Sequence, residues 1–171
     1  GTSLALRYAI QYPQFISSLI LSNPAATSYA DVREASKQLN IRFDQKDQQK
    51  RNQIINSVAF KQNDPTAMAG LVRLSFAKNM ARPELVDSIN LYYPLDFAKK
   101  NVALKYLFKD LNDYNLYDES NKINIPTLII SGDADIGLEP AKKLAYTINN
   151  STLNIIPQSG HFPFLESPKL F

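Results

Sequence analysis

The feature that most constrains the fold is a pair of short apolar runs near the end of the chain. The first run, 127–130, leads into the polar loop 131–135, and the second, 152–156, leads into a loop that ends at His161. Short apolar runs bounded by turn residues are typical of strands buried in a parallel sheet. Between the two runs, apolar residues recur on one helical face: Ala141, Leu144, Ala145 and Ile148. The order strand, helix, strand predicts an α/β fold.

The start of the chain also contains a helix pattern and a strand pattern, and here the helix comes first. Residues 4–12 place small and apolar side chains at helical spacing, with two alanines four residues apart on one face. Pro13 ends this helix, because the residue before a proline disfavours the helical conformation. The apolar run 16–21 then predicts a buried strand. Residues 1–24 are therefore predicted to form half of an α/β repeat.

The middle of the chain differs from both ends, because strand signals are absent and helical periodicity dominates. Amphipathic helices are predicted over four segments: 31–39, 49–60, 65–78 and 83–91. Pro65 and Pro83 stand where prolines begin helices. An all-helical insert between sheet-forming segments is typical of a lid, and the alternative is a plain helical subdomain. The predicted units are 1–24, 25–106 and 107–171.

Composition excludes several kinds of site and partner. The chain has no cysteine and one histidine, which excludes disulfides and thiolate zinc sites and disfavours a catalytic zinc. The formal net charge is +3, and the positive side chains are not gathered in one stripe, so we expect no nucleic-acid partner. The longest apolar run is far below the ~20 residues that cross a bilayer, so we expect no membrane span. The opening residues, Gly1 to Ser3, do not resemble a secretion signal, and the expected location is the cytoplasm.

Two polar side chains stand where a parallel sheet places its functional groups, in loops beyond the carboxyl ends of strands. Asp135 and His161 are 26 residues apart, with one helix and one strand between them. A right-handed crossover of this kind makes the two strands neighbours, so the two side chains can meet. The acid would then fix the imidazole tautomer and stabilise its cation, as in a nucleophilic triad. Taken singly, Asp133 or Asp135 could cap the next helix, and a lone histidine is more often a hydrogen-bonded surface residue.

Four stretches of the sequence resemble enzymes of the α/β hydrolase fold. They are PTLIISGDAD at 126–135, SGHFPFLESP at 159–168, GTSLALRYAIQYP at 1–13 and LILSNP at 19–24. The resemblance covers the first and third predicted units well, and reaches the helical segment only by position. It implies a partial α/β hydrolase parallel sheet with an inserted all-helical lid, in which Asp135 is the triad acid and His161 is the base.

The nucleophile is expected outside this chain. Enzymes of this fold carry a G-x-S-x-G elbow, whose serine lies on a tight turn between a buried strand and a helix. Ser3 lacks a preceding strand, and the Tyr12 and Pro13 pair fits the family better when Gly1 is the last glycine of the elbow. The nucleophile would then lie two positions before residue 1. We therefore expect the C-terminal part of a larger enzyme, inactive alone, whose missing strands come from a preceding segment, a separate chain or a second copy.

Within the fold, the sequence is most similar to proline iminopeptidase-type serine hydrolases. This similarity implies hydrolysis of a small-molecule ester, amide or short peptide, with no metal and no organic cofactor. Such enzymes hold the substrate's free amine with lid acids, and Glu84, Asp87 and Asp96 are available. The lid would cover the crevice with apolar residues that recur along its helices: Phe60, Leu71, Leu74, Phe76, Leu85 and Ile89. Two alternatives stay open: a non-catalytic binding module of the same fold, and a dehalogenase or epoxide hydrolase with an aspartate nucleophile.

Overall fold

The computed structural model describes residues 1–94, 96 and 113–171. Its centre is a parallel sheet of β1 (Leu19–Ser22), β2 (Thr127–Gly132) and β3 (Ser151–Ile156), in that order. Leu19 pairs with Thr127, and Thr127 pairs in turn with Ser151. The predicted parallel α/β architecture is confirmed, and β2 and β3 are neighbours as the crossover requires.

Helices precede, separate and follow the strands. In chain order they are α1 (Thr2–Gln11), α2 (Tyr29–Arg42), α3 (Gln45–Asn56), α4 (Val58–Lys61), α5 (Pro65–Ala77), α6 (Tyr117–Ser120), α7 (Leu138–Thr147) and α8 (Pro163–Glu166). Two 3₁₀ helices, Pro13–Phe15 and Pro83–Ser88, begin at prolines. Among the described residues, no helix combines the length and the apolar character needed to cross a bilayer.

The main core forms where α1 and α7 pack with the sheet. Apolar residues three or four positions apart share one helical face, so α1 buries Leu6 and Ala9, and α7 buries Ala141 and Leu144. Ile148, directly after α7, is buried as well. The core cluster consists of Leu6, Ala9, Leu19, Leu21, Leu116, Tyr117, Ile123, Ile129, Ala141, Leu144 and Ile148. This core fixes the position of the strands whose ends carry the site.

The helices between β1 and β2 begin at polar caps. Ser28 and Asp31 form a reciprocal capping box at the start of α2, and Asp44 and Asp47 form another at the start of α3. Asp64 accepts hydrogen bonds from two main-chain N–H groups at the start of α5. These side chains satisfy donors that a helix N-terminus leaves without partners. α3 and the second 3₁₀ helix both pack against α5.

The prediction of one continuous helix over 49–60 is wrong, because two helices cover this segment. α3 ends at Asn56 and α4 begins at Val58, because Ser57 adopts extended backbone and caps α4. The Ser57 hydroxyl accepts the Phe60 N–H at 3.1 Å and donates to the Ile54 carbonyl at 2.7 Å. Serine competes for main-chain groups in this way, so it interrupts a helix that periodicity alone would continue.

The amphipathic α-helix predicted over 83–91 is also wrong, because this segment is the shorter 3₁₀ helix Pro83–Ser88. Arg73 on α5 pairs with Asp87 at 3.3 Å and donates to the Ile89 carbonyl at 3.4 Å. Ile89 itself adopts extended backbone. The segment packs against α5, and this tertiary packing overrides the local helical pattern.

Three smaller points concern element ends. The strand predicted over 16–21 begins only at Leu19, because 13–15 form a 3₁₀ turn. α8 ends at Glu166, and the residues after it form turns. The predicted boundary between the helical segment and the C-terminal unit, at 106 and 107, lies outside the described residues.

Candidate active site

Asp135 and His161 meet at the carboxyl edge of the sheet. Asp135 lies in the loop after β2, and His161 lies in the loop after β3. The imidazole Nδ1 is 3.2 Å from Asp135 Oδ1 and 3.3 Å from Asp135 Oδ2. The contact predicted from the sequence is therefore confirmed. Because Nδ1 faces a carboxylate, the tautomer with hydrogen on Nδ1 is favoured, and Nε2 is the nitrogen left to accept a proton.

The Asp135 carboxylate is 5% exposed and is surrounded by hydrogen-bond donors. Asn23 donates to Oδ2, and Asn79 donates to Oδ1 at 2.8 Å. Burial alone raises the pKa of Asp135, but the hydrogen bond and charge of His161 and the hydrogen bond from Asn23 outweigh burial, so the pKa lies below its usual value. The group is therefore ionised at neutral pH and can stabilise an imidazolium.

Asn23 is a site residue that the sequence analysis missed. It follows β1 directly and adopts a left-handed backbone, with φ of 49°. Its side-chain amide donates to both Asp135 and the Gly160 carbonyl, the latter at 3.0 Å. The rule that identified Asp135 and His161 also applies here, because Asn23 is the polar residue at the carboxyl end of a neighbouring strand.

Glu166 holds the loop that carries His161. Its side chain is buried, at 3% exposure, and Oε1 accepts the N–H groups of Gly160 at 3.0 Å and Phe162 at 3.1 Å. Oε2 accepts the N–H groups of Ala81 at 2.7 Å and Arg82 at 3.0 Å. A buried carboxylate needs such partners, because an unpaired buried charge is costly. The sequence analysis quoted Glu166 within a motif but gave it no role.

His161 also lines an apolar cavity of about 270 Å³ between α2 and α5. The cavity is lined by Ala25, Ala26, Val32, Ala35, Ser36, Leu39, Ser75, Phe76, Asn79, Ile136 and His161. The Phe76 ring is stacked on the imidazole with centroids 6.2 Å apart. The described lining contains no carboxylate, so it suits an uncharged, apolar group.

Ser3, Glu84 and Asp87, which were also considered from the sequence, bind other groups than this pair. The Ser3 hydroxyl donates to the Ala26 carbonyl and makes no bond to the imidazole. Glu84 pairs with Arg82 at 3.2 Å, and Asp87 pairs with Arg73, as described above. These two acids and Asp96 are not among the described residues that line the cavity. Within the described ranges, no three or more His, Cys, Asp or Glu side chains gather as metal ligands would.

The order of strands, with an acid and a histidine on adjacent strand ends, defines an α/β hydrolase architecture. The model of the alpha/beta hydrolase fold family matches residues 1–168, and the chain belongs to that family. Among curated proteins, it is similar to the monoacylglycerol lipase abhd6-B of Xenopus laevis, with 28% identity over 99% of this chain and 49% of the relative. Identity to the mouse monoacylglycerol lipase ABHD6 is 24%, with the same coverage. The chain spans about half the length of these relatives.

Solved structures support the same fold. An alpha/beta fold family hydrolase from Bacillus anthracis matches with a TM-score of 0.63 and 20% identity, over 99% of this chain and 60% of that chain. The proline iminopeptidase of Mycobacterium smegmatis matches with a TM-score of 0.55 and 18% identity, over 99% and 58%. At these identities the likeness concerns the fold alone, and the similarity to proline iminopeptidases inferred from the sequence gains no support for a peptidase activity.

Proposed function

We propose that this chain supplies the acid and base of a serine hydrolase that cleaves esters with an apolar acyl chain, such as a monoacylglycerol. In this proposal Asp135 is the triad acid and His161 is the base. The nucleophilic serine belongs to residues outside this chain, in the same polypeptide or in a separate one. The 25–106 segment acts as a lid. The reaction uses neither a metal nor an organic cofactor.

The observation that carries the proposal is the contact of His161 with both a buried carboxylate and an apolar cavity. Asp135 holds Nδ1, which leaves Nε2 for proton transfer. The cavity beside the imidazole provides a place for an acyl chain next to the reacting nitrogen. The His161 side chain therefore lies between the carboxylate that supports proton transfer and the cavity that would hold an apolar acyl group.

The proposed reaction has two stages. Nε2 of His161 takes the proton of the serine hydroxyl as the serine oxygen bonds to the ester carbonyl carbon. The bond to the leaving alcohol then breaks, and the imidazolium gives that alcohol its proton. In the second stage Nε2 takes a proton from water, the water oxygen attacks the acyl-enzyme, and the serine leaves with the proton from Nε2. Throughout, the Asp135 carboxylate stabilises the positive charge on the imidazole.

An ester is favoured over an aminoacyl peptide by the chemistry of the cavity. An aminopeptidase needs a negative group to hold the free amine of its substrate. Three acids were available for that role: Glu84, Asp87 and Asp96. Glu84 and Asp87 are paired with arginines, and none of the three is among the described residues that line the cavity. The curated relatives named above are lipases, which agrees with an uncharged acyl substrate.

The lid assignment is supported by the elements that form the cavity. Most of the lining belongs to α2 and α5, which lie between β1 and β2 in the chain. Phe76, one of the apolar residues identified from the sequence, contacts the His161 ring. In this position the helices determine which acyl groups fit beside the imidazole.

The test uses the full-length protein that contains this chain, with purified wild type and the variants His161→Ala, Asp135→Asn and Asn150→Ala. Substrates are a monoacylglycerol, p-nitrophenyl esters of increasing chain length and proline p-nitroanilide. We expect ester turnover in wild type and a loss of about 10³-fold or more in His161→Ala. Asn150→Ala, which removes an exposed amide hydrogen bond to the Asn124 carbonyl, is the matched control and should retain turnover.

Other outcomes identify the alternatives. Cleavage of proline p-nitroanilide with no ester turnover would indicate a peptidase. Turnover of haloalkanes or epoxides, with an alkyl ester formed on an aspartate in mass spectrometry, would indicate an aspartate nucleophile. Binding of an acyl ligand without any turnover would indicate a non-catalytic module. Each of these three results would overturn the proposal.

A further inference from the structure

Asn79 lies two residues beyond α5 and its side chain contacts the loop of the acid through both ends of its amide. Nδ2 donates to Asp135 Oδ1 at 2.8 Å, and Oδ1 accepts the Ile136 N–H at 3.0 Å. The amide therefore bridges the carboxylate and the main chain of the next residue. Asn79 comes from the helical segment between β1 and β2, whereas Asp135 belongs to the loop after β2.

The main chain of the same residue contacts the loop of the base. The Asn79 carbonyl accepts the His161 N–H at 2.8 Å. Gly160 allows this approach, because a Cβ at that position would overlap the Asn79 carbonyl oxygen and the Cα of Met80. One residue thus binds both members of the acid–base pair, the acid through its side chain and the base through its backbone.

Arg42 fixes which way the amide points. The Arg42 guanidinium, at the end of α2, donates to Asn79 Oδ1 at 3.2 Å and to the Lys78 carbonyl at 3.1 Å. It also donates to the Ala134 carbonyl at 3.0 Å. A guanidinium and a main-chain N–H are donors only, so the amide atom that faces them must be the oxygen. The NH₂ group is then left to face Asp135.

The two oxygens of Asp135 each have one amide donor. Asn23 donates to Oδ2 and Asn79 donates to Oδ1, while the imidazole Nδ1 lies almost equally far from both oxygens. These two donors therefore oppose rotation of the carboxylate and keep both of its oxygens toward Nδ1. Removing either amide would take away one of these donors and allow the carboxylate to turn away from Nδ1.

We propose that Asn79 is a positioning residue for ester hydrolysis, which holds the Asp135 carboxylate in the orientation that Nδ1 of His161 requires. The inference rests on the proposed function. It also makes the α5 region responsible for two separate properties. Both residues line the cavity, but Phe76 offers it an apolar ring for substrate binding, whereas the Asn79 amide is bound to Asp135 and Ile136 and contributes to turnover.

The experiment compares Asn79→Ala, Asn79→Asp and Asn150→Ala in the full-length protein. We expect kcat for a medium-chain ester to fall about 10-fold to 100-fold in Asn79→Ala, because a hydrogen bond to a charged group is lost, with KM changed less than about 3-fold. Asn79→Asp has the same size and keeps the oxygen that Arg42 contacts, but it replaces the donor to Asp135 by an acceptor. Its kcat should fall at least as far, and Asn150→Ala should match wild type.

A second measurement is independent of turnover. Imidazole nitrogen NMR, with the His161 signals assigned by their loss in His161→Ala, should show mainly the Nδ1–H tautomer in wild type. Both Asn79 variants should move the two nitrogen shifts toward a mixture of tautomers. If Asn79→Ala is too unstable to purify, the equal-sized Asn79→Asp provides both measurements.

The outcomes separate this inference from the proposed function. If His161→Ala is as active as wild type, the proposed function fails, whatever Asn79 does. If His161→Ala is inactive but Asn79→Asp matches Asn150→Ala in kcat and in tautomer, only the positioning role fails. A rise in KM with unchanged kcat in the Asn79 variants would also overturn it, because that result assigns Asn79 to substrate binding.

Discussion

The Glu166 carboxylate accepts the Gly160 N–H at 3.0 Å, so the residue before His161 is held by a buried acid six positions later in the chain. The same carboxylate accepts the N–H of Phe162, on the other side of the histidine. Its second oxygen binds the segment that follows Asn79. The main chain on both sides of His161 is therefore fixed to one side chain.

Replacement of Glu166 should destabilise the fold strongly. In Glu166→Ala, buried N–H groups lose their acceptor, and we expect the free energy of unfolding to fall by about 2 to 4 kcal/mol. The matched control is Glu139→Gln, which changes an exposed acid paired with Lys142 at 2.7 Å. That change should stay within about 0.5 kcal/mol. Urea unfolding followed by circular dichroism measures both, and equal effects would contradict the role of Glu166.

Two glycine substitutions should have opposite effects. A Cβ at position 160 would overlap main-chain atoms of Asn79 and Met80, so Gly160→Ala should cost about 2 kcal/mol or more. At Gly70, inside α5, the nearest atom to an added Cβ is Ile54 Cδ1 at 3.9 Å. Gly70→Ala should therefore stabilise the protein by about 0.5 to 1 kcal/mol. Thermal unfolding of both variants checks the signs, and a neutral Gly160→Ala would contradict the close approach.

The lowered pKa of Asp135 predicts an acid-sensitive contribution to stability. Because the folded-state pKa lies below the ordinary value of 3.8, the contribution is fully present above that value and is lost as the pH falls through the folded pKa. The difference in free energy of unfolding between wild type and Asp135→Asn should therefore shrink as the pH falls from about 5 to about 3. Urea titrations across this range measure it. A difference that stays constant down to pH 3 would show that the partners of Asp135 do not lower its pKa in the folded protein.

The size of the apolar cavity should determine the preferred acyl length. Ala35→Leu adds bulk to the lining, and Leu39→Ala removes it. We expect the ratio of kcat/KM for long over short p-nitrophenyl esters to fall about 10-fold in the first variant and to rise in the second. A chain-length profile of both full-length variants is the measurement. Profiles identical to wild type would place the acyl chain elsewhere.

Ser3 should not act as a nucleophile. Its hydroxyl donates to the Ala26 carbonyl, and Ser3 lies within α1 rather than on the strand-to-helix turn that a nucleophile elbow requires. Treatment of the 171-residue chain with a fluorophosphonate probe should therefore leave Ser3 unlabelled in peptide mass spectrometry. Covalent labelling of Ser3 would identify it as the nucleophile.

The sequence was sufficient for the parts of the fold that are encoded locally or by chain order. The apolar runs predicted β2 and β3, and the crossover between them predicted that Asp135 and His161 would meet, because parallel strands end at one edge. The family resemblance pointed to the same two residues. None of this required knowledge of how distant segments pack.

What the sequence could not supply depends on packing between segments far apart in the chain. Asn79 is 56 residues before Asp135, and no local pattern distinguishes it from the other asparagines. The 3₁₀ helix at Pro83–Ser88 likewise packs against α5, which its own periodicity does not indicate. Asn23 is different, because the strand-end rule covers it, and applying that rule to β1 would have identified it.

The reciprocal caps at the starts of α2 and α3 also bear on how freely this part of the protein can change. Neither helix has a buried residue, so the starting points of both depend on four polar side chains, Ser28, Asp31, Asp44 and Asp47. Most other positions of these two helices are open to substitution, provided that Arg42 and the α3 positions packed against α5 are kept. A combinatorial library that retains the four caps and Arg42 and varies the cavity-lining positions of α2 would explore new acyl specificities without displacing the acid and the base.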